Sequence, residues 1–174
     1  DSYISEFEIM RIKIIEDLVE KFSNEDYFSN TLDYLLKDER PFKFFEDMAI
    51  YWEENGYHKV GHNRVDLYKN LFDFLKKRED IDEITELLRL DFFINNRSNP
   101  AEYLKPRFIK LEKFHDFLNI ENVRNLFSLD MSRPTKFLVK DFRFHKFFLE
   151  NKERIYGFYY TSNGTISRDI TDFI

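Results

Sequence analysis

The stretch RPFKFFEDMAIYWEENGYHKVGHNR, Arg40 to Arg64, carries the only tryptophan of the chain and two of its four histidines. It also holds the clearest helix start and stop. Pro41 suits a first helical position, where its missing N–H is not needed. Phe45, Met48, Ala49 and Trp52 recur at steps of three and four and make one apolar face. Gly56 is the natural stop, because glycine enters the left-handed conformation without steric cost. The pattern therefore predicts a helix from Pro41 to near Asn55, with Tyr57 folded back on Trp52. His58 and His62 fall in the connection that follows. Asn63 is placed to cap the next helix, with Asp66 in its first turn.

Working outward, helical periodicity covers most of the chain before Pro134. Ser5 and Glu8 have capping-box spacing ahead of a helix from about Glu6 to Phe22. Its stripe is Phe7, Met10, Ile14 and Leu18, widened by Ile15, Val19 and Phe22. A second helix after Asn24 turns Phe28, Leu32, Leu35 and Leu36 inward. A fourth, from Arg64 to about Lys77, buries Tyr68, Leu71, Phe72 and Leu75. A fifth starts at Asp80, with Glu83 completing another capping-box-like pair, and buries Ile84, Leu87, Leu88 and Phe92. Asn95 to Pro106 is a connection with one helical turn around Glu102 to Leu104. From Arg107 to Phe127 the helical pattern returns, broken near Asn119. Leu111, His115 and Leu118 share one face there, and Val123, Leu126 and Phe127 another.

Beyond Pro134 the character changes. KFLVKDFRF (Lys136 to Phe144) and RIYGFYYT (Arg154 to Thr161) are rich in β-formers. Asn163-Gly164 is the strongest hairpin signal, because a type I′ turn needs positive φ at both central residues. It predicts a turn that pairs Ser162 with Thr165 and Tyr160 with Ser167. The expected fold is α+β and mainly α: a bundle of five to seven helices over residues 1–130, then a small antiparallel sheet over 131–174, in one compact module.

Composition narrows the chemistry. The chain has 174 residues, enough to bury roughly 68–70% of its unfolded surface. With 21 phenylalanines, 10 tyrosines and alanine only at Ala49 and Ala101, its core is expected to be bulky and aromatic. A net charge of −6 and a pI of about 5.3 argue against a nucleic-acid surface. No apolar run approaches the ~20 residues of a membrane span. There is no cysteine, so this chain can supply no disulfide, thiolate metal ligand, iron–sulfur ligand or cysteine nucleophile. A cytoplasmic setting fits. The first residue is Asp1, as expected of a fragment or processed product.

The candidate sites are few. His58 and His62 are four apart, a spacing that suits a metal on a helix, but Lys59, Val60 and Gly61 between them read as loop. Glu112 and His115 form one Glu-x-x-His where a di-iron bundle needs two such motifs. Glu46, Asp47, Glu53 and Glu54 make an acidic face suited to solvent. No Gly-x-Ser-x-Gly elbow and no glycine-rich phosphate loop occurs. The residues thus point to no catalytic, cofactor-binding or metal set, with His58 and His62 the only metal candidates. Trp52, Tyr57 and His58 form a structural or docking cluster.

Several segments, in order, resemble a known family. They are MRIKIIEDLVEKF from Met10, FSNTLDYLLKDERPFKFFEDMAIYWEENGYH from Phe28, HNRVDLYKNLFDFL from His62, LLRLDFFINNRSNPAEYLK from Leu87 and RIYGFYY from Arg154. Together they are similar to the accessory region of unknown function that follows the barrel in bacterial cobalamin-binding radical SAM proteins. Such proteins often carry the label magnesium-protoporphyrin IX monomethyl ester oxidative cyclase, or a relative of it. The resemblance is most specific from Trp52 to His58. It implies an oxidoreductase-like parent enzyme that uses S-adenosylmethionine and an iron–sulfur cluster in its barrel, and cobalamin in an N-terminal domain. Those two domains would be this module's partners. With no cysteine here, no cluster ligand transfers, and the implied role is non-catalytic: covering the barrel mouth, shaping the substrate pocket or docking a partner. The competing readings are a stand-alone interaction module and a metal-dependent enzyme built on His58 and His62.

Overall fold

A computed structural model describes residues 4–110, 112–130 and 132–174. The fold is α+β and mainly α, with eight α-helices and one three-stranded antiparallel sheet among the described residues. The chain divides into two compact units, residues 1–91 and 92–174. This division falls inside a helix, whereas the sequence pattern places a change of residue character at 130.

The first unit contains α1 (Glu6–Val19), α2 (Ser29–Leu35), α3 (Pro41–Glu54), α4 (Arg64–Leu75) and most of α5 (Ile81–Asn95). Two of the expected capping boxes are present. Ser5 and Glu8 form a reciprocal capping box at α1, and Asn63 and Asp66 another at α4. At the start of α5, the Asp80 carboxylate engages Arg78 and the Tyr34 hydroxyl. Pro41 is the first residue of α3, whose inner face is Phe44, Phe45, Met48, Ala49 and Trp52.

α1 packs on α3 through Ile14, Ile15 and Leu18, and a π-helical turn (Glu20–Asn24) then carries Phe22 inward. Phe22 meets Phe28 at 4.8 Å and the edge of Trp52 at 5.7 Å, and Phe28 meets Tyr68 at 4.5 Å. The expected stripe on α1 is only half right. Phe7 and Met10 lie exposed, because no other element of this unit covers the first turns of the helix. Leu36, Phe72 and Leu87 are half-buried, at the margins of their faces.

The second unit holds the end of α5, a 3₁₀ turn (Glu102–Leu104), α6 (Phe114–Asn119), α7 (Glu121–Leu126), α8 (Thr135–Leu138) and the sheet. The break near Asn119 is real: Ile120 is extended between α6 and α7. Residues 107–109, expected in a helix, instead run beside the sheet. Phe108 bridges His145, the Ile109 N–H donates to the Phe144 carbonyl, and the Lys146 N–H donates to the Arg107 carbonyl. Leu111 lies outside the described residues. His115, expected on the same face as Leu118, is exposed while Leu118 is buried.

The strands are β1 (Phe142–Leu149), β2 (Lys152–Thr161) and β3 (Gly164–Asp169), in the order β1-β2-β3. The segment from Lys136 is not strand from its start. α8 and a 3₁₀ turn (Val139–Asp141) occupy it, and the sheet begins only at Phe142. The core of this unit includes Phe117, Leu118, Val123, Phe127, Phe142 and Phe144.

The β2–β3 hairpin differs from expectation in an instructive way. At the β2–β3 turn Thr161 pairs with Gly164 and Tyr160 with Thr165, so the turn sits one residue earlier than predicted and each partner shifts by two residues. The Asn163 N–H donates to the Thr161 hydroxyl, which itself donates to the Gly164 carbonyl. This hydroxyl-closed turn leaves Ser162 and Asn163 at negative φ and gives the positive φ of 129° to Gly164. The pair of positive φ values expected of a type I′ hairpin occurs at the other corner. Glu150 (52°) and Asn151 (59°) join β1 to β2, with Leu149 opposite Lys152.

Candidate functional site

The corner after α3 is built by its own neighbours. The α3 C-terminus is closed by Gly56 at φ 68°, whose N–H donates to the Glu53 carbonyl, and the 3₁₀ turn Tyr57–Lys59 follows at once. Tyr57 thereby swings onto Trp52, edge to face at 5.1 Å. His62 completes the corner, 5.9 Å from the Trp52 ring and 5.4 Å from Tyr57. Trp52 is 1% exposed, so its indole offers no docking surface to a partner of this unit. Burial, with the neighbouring Tyr57 and Asp73, pushes the Tyr51 phenol up to about 12.

The histidines do not form a ligand pair. His62 donates from Nε2 to the Tyr57 carbonyl at 2.9 Å and accepts at Nδ1 from the buried Asn70 amide at 3.3 Å. Both of its nitrogens are engaged inside the fold, and its ring acts as a strut between the corner and α4. His58 sits half-buried in the 3₁₀ turn. Among the described residues no three histidine, aspartate or glutamate side chains gather as a metal site would require. Glu112 and His115 are both exposed. On the acidic face, Glu46 and Asp47 take Lys43 at 3.5 and 2.6 Å, and Glu53 pairs with Arg11. Glu54 is exposed. These carboxylates do not converge on one another in the way acid–base chemistry needs.

What the first unit does present is apolar surface. Ile4, Phe7, Ile9, Met10 and Ile12 lie on and just before the first two turns of α1, and Ile4 and Phe7 are 62% and 58% exposed. Arg11 lies over the Phe7 ring, 5.0 Å from its centroid, and is held there by Glu53. Single exposed apolar residues are ordinary, but here they surround one helix end, Phe7 and Met10 on one side and Ile9 and Ile12 on the other.

Sequence reading missed a buried polar group on α5. Asp91 is 1% exposed and accepts four bonds from the start of α2. The Asn30 and Thr31 N–H groups donate at 3.1 and 2.9 Å, and the Asn30 amide and Thr31 hydroxyl at 2.8 and 2.7 Å. α2 has no side-chain cap of its own, so Asp91 caps it from a distant part of the chain. Burial pushes the Asp91 carboxyl up, and the bonds from Thr31 and Asn30 pull it back. One turn before, Glu86 and the fully buried Arg89 pair at 2.5 Å. The only hint in the sequence is that Glu86, Arg89 and Asp91 interrupt an apolar helix with charge.

Two clefts open among the described residues of the second unit. One, of about 630 Å³, is lined by apolar side chains such as Ile109, Phe117, Ile120 and Phe173, with charged residues on its rim. The other, of about 480 Å³, is polar, with Arg97, Arg133, Asp141 and Tyr159 among its walls. No helix among the described residues is long and apolar enough to cross a membrane.

The profile of a family described as "Protein of unknown function (DUF4080)" matches residues 1–157. No curated protein matches the chain, and no solved structure matches it.

Proposed function

The chain belongs to the DUF4080 family of unknown function, and from that premise we propose that it is a non-catalytic accessory module of a cobalamin-dependent radical SAM enzyme. Two things support the reading. The resemblance of the segments from Met10 to Tyr160 supplies the parent class. The apolar side chains exposed around the start of α1 support the role: Phe7 and Met10, three apart, share one helix side suited to docking on another domain, and Ile4, Ile9 and Ile12 are exposed beside it and opposite. In this reading the parent's barrel and cobalamin domain supply S-adenosylmethionine cleavage, the iron–sulfur cluster and cobalamin. The present chain contributes attachment and shape at the substrate entrance. The Trp52 corner holds the chain rigid between α3 and α4 and takes no part in chemistry.

Two measurements test this. The gene that encodes the chain should also encode a CxxxCxxC motif upstream, and the whole protein should form 5′-deoxyadenosine after anaerobic reconstitution with iron and sulfide. Formation of that product by residues 1–174 alone would overturn the non-catalytic role. In the whole protein, Phe7→Ser combined with Met10→Ser should speed proteolytic release of the module and raise amide exchange across α1. Unchanged release and exchange would remove the docking role from this face.

A further inference from the structure

The polar cleft of the second unit gathers cationic residues that are scattered along the sequence. Arg97 donates from Nη2 to the Lys140 carbonyl at 2.9 Å and to Asp141 Oδ1 at 3.1 Å. Arg133 reaches the other oxygen of the same carboxylate at 3.6 Å and donates from Nη1 to the Tyr159 hydroxyl at 3.3 Å. Arg143 joins from the next strand residue but one, donating to the same Lys140 carbonyl at 3.3 Å. Two guanidinium groups thus hold a single carboxylate, and a third, Arg143, shares the Lys140 carbonyl with Arg97 beside them, on a chain whose net charge is −6. The field reaches the floor of the cleft. Burial pushes the Tyr160 phenol up, and the positive charges of Arg143 and Arg97 oppose that push. Tyr160 itself is pinned by its bond to the Phe93 carbonyl at 2.9 Å, so this wall is rigid.

The donors are not used up. Every bond that Arg97 makes to a described residue leaves from Nη2, so its Nε–H and Nη1–H groups meet no protein acceptor there. Ser162, at the tip of the β2–β3 hairpin, adds a hydroxyl group on the same rim. A guanidinium fork with open N–H groups is the usual receptor for a planar or tetrahedral oxyanion. The volume of about 480 Å³ accommodates more than the anion and leaves room for an organic group beside Tyr159.

We propose that Arg97 and Arg133 form an oxyanion site that takes the phosphate group of a small phosphomonoester. Phosphate is favoured over carboxylate because the local excess of two positive charges matches a dianion. The site stands apart from the docking reading and does not depend on it.

The test is titration of the chain with inorganic phosphate, phenyl phosphate and benzoate at fixed ionic strength, read from the amide resonances of Thr161 and Ser162. Phosphate and phenyl phosphate should give saturable shifts, phenyl phosphate at the lower concentration, and benzoate should be weaker than both. Arg97→Gln and Arg133→Gln should each weaken phosphate binding by about tenfold. Arg97→Lys, which keeps the charge and loses the fork, should fall between these and the parent chain. Asp141→Asn should tighten binding, because it removes the competing carboxylate. Shifts that grow linearly and are matched by chloride would overturn the proposal. So would saturation by benzoate alone, or saturable phosphate binding unaltered in Arg97→Lys and Arg133→Gln.

Discussion

The two units close their aromatic cores in opposite ways. In the first, Trp52 is enclosed by Tyr57 and His62, which follow it closely along one continuous piece of chain. In the second, the Phe93 ring stacks on His145 at 3.6 Å, and the Phe127 ring lies over the backbone of Gly157. Both contacts join residues far apart in sequence. The first kind of closure depends on local conformation and forms wherever its turn forms. The second depends on the sheet arriving in register. The same contrast exists inside the first unit, where α1 and α4 carry their own caps while α2 borrows Asp91.

The largest effect that would break this comparison lies at the corner. Trp52→Ala should cost about 3–5 kcal/mol, seen as a large drop in the thermal midpoint. An unchanged midpoint would mean that the corner is not the closure of the core. Asp91→Ala should cost about 2–3 kcal/mol, because the Asn30 and Thr31 donors lose their buried acceptor. Amide exchange at the start of α2 should rise in that variant, and protection equal to the parent chain would deny the borrowed cap.

In the second unit Gly157→Ala should cost about 1–2 kcal/mol. A Cβ there would stand 2.8 Å from Phe127 Cζ and 3.2 Å from Phe144 Cε1. Denaturant unfolding measures it, and a neutral result would show that α7 does not lean on β2 as described. Glu150→Gly should stabilise the chain by about 0.5–1 kcal/mol, because glycine holds the positive φ at the β1–β2 turn more readily than glutamate does. A loss of stability instead would show that the Glu150 side chain outweighs its backbone strain. Smallest of all, Phe7→Ser should alter the stability of the chain by no more than about 0.5 kcal/mol, since Phe7 covers no core.

The corner after α3 was legible because every term in it is short-range. Proline opens the helix, steps of three and four mark its face, glycine permits the left-handed residue, and Tyr57 has nowhere to go but back on Trp52. The hairpin was half legible. Asn163-Gly164 does mark a turn, but the Thr161 hydroxyl captures the Asn163 N–H, the turn closes one residue earlier and the strand partners shift by two. Glu150-Asn151 carries no strong turn signal, since glutamate rarely adopts positive φ, and the demands of two long strands place it there. Residues 107–113 read as helix because their apolar spacing allows it. The free edge of β1 offered backbone partners to Arg107 and Ile109, and those bonds outcompeted a helix that had not yet nucleated.

By itself, the sequence determined the fold class, the helix ends with their capping boxes, the aromatic core and the absence of any thiolate chemistry in this chain. These follow from backbone sterics, side-chain spacing and composition, which act within a few residues or need no geometry at all. Tertiary structure alone decided that Phe7 and Met10 stay exposed, that Asp91 caps a helix it does not belong to, and that Arg97 and Arg133 meet on Asp141. Each of those depends on which distant surface arrives at a given face, and an apolar stripe or an isolated charge looks the same in sequence whether or not a partner comes to meet it.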